Sequence, residues 1–254
     1  MSHTHRIEIS GEVVTKTYVD WRRDEHLREW TALRVISAAK PDLVPVPIRL
    51  ARPVPPRPQP SITMGRLPGS PLSGCLTTGQ LEGLCVALDE LWSIPPTGVE
   101  PIDHAAFVER IRHSISSWNG SGLIAEAHLA AAEWLAGPAL GELDKPLDAV
   151  IGHGDPNLAN YLWDGEQVRI IDFEDAGQSD LAIELANLVE HIASRDNEWT
   201  AFLEYFPVNS DRLRTARCLW AMFWLTLLRP GGTSHRNPPG TAELQAKRVL
   251  DLLS

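Results

Sequence analysis

Between Val150 and Asp180 the chain sets Asp155, Asn160, Asp172, Glu174 and Asp175 among two apolar, strand-forming runs. Asp155 sits in a turn opened by Gly152 and Gly154 and continued by Pro156, and Asn160 follows five residues later. Tyr161-Leu162-Trp163 and Val168-Arg169-Ile170-Ile171 flank Asp164-Gly165, a hairpin signal. The second strand ends on Asp172. A hairpin returns the chain to its starting end, so Asn160 and Asp172 are expected side by side, with Asp155 near both. Amide and carboxylate oxygens grouped in this way suit a hard cation. Mg²⁺ is such a cation; it keeps several waters and shares its shell with phosphates. The same residue types also serve turns in ordinary surface hairpins, and a lone Asp-x-x-x-x-Asn would deserve that reading.

The elements before this segment must supply whatever else the chemistry needs. Arg6–Ser10 and Glu12–Tyr18 alternate around Gly11 and read as a hairpin, with Lys16 near the end of its second strand. Asp24–Ala39 reads as a helix with Leu27, Trp30, Leu33 and Ile36 as its apolar stripe and Glu29 off it; Pro41 ends it. Residues 41–60 hold eight prolines. Val44–Leu50 could form a short strand within them, and Arg52–Pro60 a stiff loop of polyproline character. Ser61–Met64 resumes a strand, which Gly65-Arg66-Leu67-Pro68-Gly69 breaks.

His153-Gly154-Asp155 with Asn160, followed by Ile171-Asp172-Phe173-Glu174-Asp175, resembles the aminoglycoside phosphotransferase and choline kinase-like family, small-molecule relatives of the protein kinases. The resemblance implies ATP and Mg²⁺ as cofactors. It casts Asp155 as the catalytic residue that orients the acceptor hydroxyl and takes its proton. Asn160 and Asp172 become the metal ligands, and His153 supports the loop near the metal Asp. Gly154 stands where protein kinases carry the Arg of His-Arg-Asp, and Glu174 where they carry the Gly of Asp-Phe-Gly. No Ala-Pro-Glu segment follows. All three departures point to the small-molecule branch.

By the same resemblance Lys16 is the nucleotide-binding lysine and Glu29 its ion-pair partner, against the ordinary alternative of a surface Lys and a surface Glu. Met64 and Arg66 lie in what resembles the lobe connector and would meet adenine through main-chain atoms; a simple turn explains the same residues. Relatives usually carry a second hairpin before the lysine strand. Fifteen residues precede Lys16, room for one hairpin, and Ser10-Gly11 is no glycine-rich loop. Glu174 and Asp175 would face the acceptor, or else structure their own loop.

The rest reads as helical scaffold. Thr77–Ile94 is amphipathic, with Thr77 or Thr78 as cap. Asp103–Trp118, Leu123–Leu135, a helix opened by Asp180, Cys218–Arg229 and Thr241–Leu253 follow, with a Gly/Pro-rich loop over Pro230–Gly240. Asp180 is read as a structural cap. His104, His113 and His128 are read as surface or boundary histidines, and Glu184 and Glu190 as solvated helix charges or else walls of a substrate pocket.

The 254 residues carry a formal net charge of −10. Residues 1–100 hold 11 basic and 11 acidic groups, and residues 101–254 hold 12 and 22. This argues against nucleic acid as a partner and favours a cationic small molecule near the second half, although acidity also serves solubility. Cys75, Cys85 and Cys218 lack metal or redox spacing, which suggests reduced thiols and a cytoplasmic setting. No signal peptide or membrane span is expected.

The expected fold is α+β, a two-lobed protein kinase-like fold. Residues 1–64 would form a small, trimmed, β-rich N-terminal nucleotide-binding lobe, and residues 65–254 a mainly helical C-terminal catalytic and substrate-binding lobe. The expected reaction moves the γ-phosphoryl group of ATP to a hydroxyl of a small molecule. An aminoglycoside or other cationic antibiotic is one acceptor class, and an amino alcohol or sugar another. A nucleotide-binding regulatory pseudokinase is the rival from a different class.

Overall fold

The computed structural model describes residues 5–53, 59–118, 121–143, 149–228 and 237–254. Most of the expected polyproline loop and of the Pro230–Gly240 loop lies outside them. Among the described residues nine strands form: β1 (Arg6–Ser10), β2 (Val13–Thr17), β3 (Pro47–Ala51), β4 (Ser61–Gly65), β5 (Ser70–Pro71), β6 (Val150–Gly152), β7 (Tyr161–Trp163), β8 (Val168–Ile170) and β9 (Gly177–Ser179). Eight α-helices accompany them: α1 (Glu25–Ala39), α2 (Thr78–Trp92), α3 (His104–Ser116), α4 (Gly122–Ala136), α5 (Leu181–Glu190), α6 (Thr200–Glu204), α7 (Ser210–Leu227) and α8 (Thr241–Leu253).

The chain divides into two compact units. The first comprises Met1–Ile102, Asp148–Leu181 and Asp196–Phe206. Its larger sheet is antiparallel, in the order β1-β2-β4-β3. Gly11, at φ 60, closes the β1–β2 hairpin and leaves Ile7 opposite Lys16 and Ile9 opposite Val14. Helix α1 packs on β3 and β4. Its buried face is Glu25, His26, Glu29, Ala32, Leu33 and Ile36. That face is turned relative to the expected stripe, with Leu27 exposed. The reason is Glu29, which turns inward to meet the Lys16 ammonium.

Two small sheets carry the chemical segment: β5-β7-β8, and β6 paired with β9. Helix α2 lies against β6, β7 and β8. It starts from a capping box in which Thr77 and Gln80 satisfy each other's backbone amides. Its close approach needs Gly83, where a Cβ would come within 2.7 Å of the Trp163 ring. The β7–β8 register pairs Tyr161 with Ile170 and Trp163 with Val168. The connection is therefore the four residues Asp164–Gln167 rather than a two-residue turn. Asp164 closes it by accepting from the amides of Glu166 and Gln167, each at 2.9 Å, and from the Arg169 guanidinium.

The second unit comprises Asp103–Leu147, Ala182–Arg195 and Pro207–Ser254. Its core joins Phe107 and Ile111 of α3, Ala131 of α4, Met222 and Leu225 of α7 and Val249 of α8. One expectation for this unit is corrected: His128 is buried and stacks on Trp118 with centroids 4.5 Å apart. Of the two readings of Glu184 and Glu190, that of solvated charges is excluded, since both are buried. Glu190 accepts from Arg217 at 2.8 Å and from Nε and Nη2 along one edge of Arg248 at 2.8 and 2.7 Å. A carboxylate on a helix can leave water when guanidinium groups replace its hydration.

Candidate active site

The first unit brings Asp155, Asn160 and Asp172 together as the hairpin register requires. The Ile171 amide donates to the Asn160 carbonyl at 2.9 Å, which continues the β7–β8 ladder to the residue before Asp172. The Asn160 side-chain amide donates to the Asp155 carbonyl at 2.9 Å and lies 3.4 Å from its carboxylate. That use of the nitrogen leaves the Asn160 Oδ1 as an oxygen ligand. His153 braces the loop from the other side. Its Nε2 faces the Ile171 carbonyl at 2.8 Å, and its Nδ1 accepts from the Asp155 amide at 3.3 Å. The two contacts are satisfied together by one tautomer, with the proton on Nε2. The ring packs on Phe173, which is wholly buried.

Two backbone features aim the loops. Gly154 has φ 81, and a Cβ there would sit 2.2 Å from the Asp175 carbonyl oxygen. The turn before Asp155 thus touches the loop after Asp172 with no room for a side chain. Asp172 itself is in the left-handed region at φ 70. A non-glycine residue held there costs on the order of 1–3 kcal/mol, supplied by the surrounding contacts.

Lys16 is buried and lies at the centre of three carboxylates. Its Nζ is 2.7 Å from Glu29 Oε2 and 2.7 Å from Glu174 Oε2, and it also donates to Asp172 Oδ1. Oxygens of Glu29, Asp172 and Glu174 lie within 4.8 Å of one another, close enough to cage a metal. The Lys16 ammonium already occupies the middle of that cage, so the cluster is an ion-pair network. A metal is better served by Asn160 Oδ1 and the Asp172 carboxylate, which is 38% exposed. Both are hard oxygen donors, as Mg²⁺ prefers.

The electrostatics separate the two aspartates. Burial pushes the Asp155 carboxyl above the usual range; His153 pulls it back, and the charges of Asp172 and Asp175 add to the rise. Burial acts the same way on Asp172, but the Lys16 charge and hydrogen bond outweigh it and bring that carboxyl down. Burial opposes the Lys16 charge too, yet Glu29, Asp172 and Glu174 prevail and hold it protonated. Neighbouring groups whose proton affinities are driven apart mark acid–base assignments. Asp155 suits proton acceptance, and Asp172 suits permanent charge.

The remaining candidates fall as follows. Glu174 contacts Lys16 and stands 2.8 Å from His5 Nε2. Asp175 meets Arg23 at 3.1 Å and Arg28 at 3.6 Å. Both carboxylates are thus committed to cations of their own unit. Arg28 also donates from Nε to the Glu174 carbonyl at 2.9 Å. Met64 lies in β4 between Val14 and Pro47. The Arg66 amide donates to the Glu12 carbonyl at 2.8 Å, so that main-chain donor is spent within the sheet. Asp180 is buried just ahead of α5.

Sequence reasoning passed over His5, Tyr18, Arg23 and Arg28. Tyr18 alone carried a signal, two residues beyond Lys16 where strand geometry places both side chains on one face. Its hydroxyl donates to Glu29 Oε2. Burial and the Glu29 carboxylate push its phenol far upward, so it stays a donor.

The fold and sequence have relatives. The structure resembles a choline/ethanolamine kinase family protein from Mesorhizobium loti, with TM-score 0.70 and 16% identity, covering 100% of this chain and 86% of the other. It resembles the aminoglycoside phosphotransferase APH(4)-Ia to the same degree, with TM-score 0.70 and 16% identity, over 100% and 90% of the two chains. A thermostable mutant of that enzyme, in ternary complex with AMP-PNP and hygromycin B, gives TM-score 0.69 at 15% identity over 100% and 91%. At these identities the likeness concerns the fold, which is α+β and protein kinase-like. No curated protein matches the sequence. No described helix is long and apolar enough to cross a membrane. The model of the phosphotransferase enzyme family matches residues 12–220, which contain Lys16, Glu29 and the whole Asp155–Asp172 segment, and the chain belongs to that family.

Proposed function

We propose that the protein transfers the γ-phosphoryl group of ATP to a hydroxyl of a small molecule. The observation that carries this reading is geometric: Asp155 and Asn160 are hydrogen-bonded together, the β7–β8 ladder sets Asn160 beside Asp172, and the buried Lys16–Glu29 pair reaches Asp172. The opposite directions of the Asp155 and Asp172 proton affinities accord with it. Asp155 orients the acceptor hydroxyl and takes its proton as the bond to phosphorus forms. Lys16, anchored on Glu29, leaves Asp172 and Glu174 to hold phosphate oxygens. Asn160 and Asp172 would hold Mg²⁺, which supplies charge neutralisation at those oxygens when bound. Residues 1–64 act as the nucleotide-binding lobe, and residues 65–254 provide the catalytic loop and the acceptor wall. The transition state is loose, so positioning and preorganised charge carry most of the rate. Three free cysteines fit a cytoplasmic setting.

A cationic acceptor, such as an aminoglycoside, accords with the acidic second half of the chain. Complexes of the structural relatives with hygromycin B and with kanamycin support that class. The commitment of Glu174 and Asp175 to Lys16, His5, Arg23 and Arg28 favours a second reading, an amino alcohol or sugar that needs no ammonium clamp at that loop. ATP consumption with Mg²⁺ across aminoglycosides, amino alcohols and sugars tests both, with Asp155→Ala alongside. Acceptor-dependent turnover that disappears in the variant supports the proposal and names the class. ATP binding without turnover on any acceptor supports a regulatory pseudokinase instead, and unchanged turnover in Asp155→Ala refutes the assignment.

A further inference from the structure

Lys16 and Tyr18 meet on one oxygen of Glu29. Lys16 Nζ reaches Glu29 Oε2 at 2.7 Å, and the Tyr18 hydroxyl donates to that same atom. Tyr18 is wholly buried, and its ring centroid lies 5.0 Å from the ammonium. Its ring is backed by His5, with centroids 4.8 Å apart. The phenol therefore has no rotational freedom to spare, and its oxygen is aimed at Glu29.

We propose that Tyr18 is a positioning residue for nucleotide phosphate: it fixes the Glu29 carboxylate so that Lys16 stays in register when it exchanges carboxylate partners for phosphate. The inference rests on the phosphotransferase reading above. A lysine is a compact charge on a flexible four-carbon stem, and three carboxylates compete for this one. Phosphate binding must draw the ammonium off Asp172, which the metal needs, while its tie to Glu29 persists. A Glu29 carboxylate free to rotate would follow the ammonium and give up that register. The phenol prevents this with a neutral donor, which adds no charge to compete for Lys16. The Ser10-Gly11-Glu12 turn of the hairpin that carries Lys16 is no glycine-rich cradle, so more of the phosphate contact falls to the lysine.

The test uses the full chain and two readouts, the dissociation constant for Mg-ATP and the midpoint of thermal unfolding. Tyr18→Phe, Glu29→Gln and the double variant form a cycle. Loss of a hydrogen bond to a charged group predicts about tenfold weaker Mg-ATP binding in Tyr18→Phe. The same bond is present without nucleotide, so its loss should also lower the unfolding midpoint by several degrees, and affinity is measured well below that midpoint. In the Glu29→Gln background the same change should have less than about a twofold further effect, since the phenol acts through Glu29. Equal losses in both backgrounds would show a general packing role and overturn the inference. So would unaltered Mg-ATP affinity in Tyr18→Phe. If Tyr18→Phe does not fold, Glu29→Asp is read in its place; it keeps the charge, withdraws it from the phenol by one methylene, and should show the same tenfold loss, with undiminished binding counting against the proposal. Failure of the unaltered chain to bind Mg-ATP at all would instead sink the phosphotransferase reading, and this inference with it.

Discussion

The contact between Gly154 and Asp175 can be weighed by adding one methyl group. In Gly154→Ala the new Cβ would lie 2.2 Å from the Asp175 carbonyl oxygen and 2.8 Å from its carbonyl carbon. Real Cβ contacts essentially never fall below 3.0 Å, so one of the two loops must move by roughly 0.8 Å or more. Two costs combine. Holding an alanine at φ 81 costs about 1–2 kcal/mol, and forcing a methyl into a packed contact about 1–3 kcal/mol. For a chain of this size each kcal/mol lowers the unfolding midpoint by about 2–4 °C, so the midpoint should fall by something on the order of 10 °C. If the loops yield instead, Asp155 shifts against Asp172, and a displacement near 1 Å costs about 100-fold in turnover. Gly98 provides the control. It has the same φ of 81 and nothing within 4 Å of its would-be Cβ, so Gly98→Ala isolates the backbone cost. Thermal unfolding and acceptor-dependent ATP consumption would be measured on both variants. Equal midpoints and equal turnover in the two would refute the argument that loop contact, rather than backbone conformation, makes Gly154 necessary.

Other expectations follow from the charges. Asp155→Asn should abolish phosphoryl transfer yet hold or raise the unfolding midpoint at pH 7. A carboxyl whose proton affinity is raised by burial lowers stability once pH rises above its folded value, and the amide removes that cost. Lys16→Met should abolish turnover and also lower the midpoint measurably, because it strands Glu29 beside Asp172 and Glu174 with no cation among them. His191 is pushed down to about 4 by burial and by Arg195. The unfolded chain then binds more protons between pH 6.5 and 4, so stability should fall with acidity in that window by at most about 1.4 kcal/mol per pH unit. His191→Asn, read by thermal unfolding across the same range, should flatten the slope. Chelation of divalent ions should stop ATP consumption, with recovery on adding Mg²⁺; turnover that persists would remove Asn160 and Asp172 as metal ligands.

What could be read from the sequence was local. The β7–β8 hairpin, the Thr77 cap of α2 and the adjacency of Asn160 to Asp172 follow from spacing within a few residues, and the structure has all three. The partners of buried charge could not be read so. Glu29 lies off the apolar stripe of an isolated helix, so periodicity leaves it outward and only the resemblance pairs it with Lys16; in the structure Lys16 and Tyr18 on a different element turn it inward. Spacing leaves Glu190 open between a solvated charge and a pocket wall, because its guanidinium partners lie 27 and 58 residues further along. Glu174 and Asp175 could not be given partners, since Lys16, His5, Arg23 and Arg28 approach from the far end of the chain. Periodicity finds apolar faces; it assigns no charge to a face when the neutralising group is tertiary.

The Lys16 clasp has a history as well as a geometry. Its partner Glu29 follows 13 residues behind it in the chain, and Asp172 follows 156 behind. At about 5–20 residues per second, a ribosome delivers Asp172 roughly 8–30 s after Lys16. Through that interval the lysine has Glu29, with Tyr18 beside it, as its local counter-charge. A nascent chain arrested before Asp172 would carry the near half of the clasp alone. Synthesis thus supplies first the carboxylate that the proposal keeps on Lys16, and last the two, Asp172 and Glu174, that it has phosphate replace.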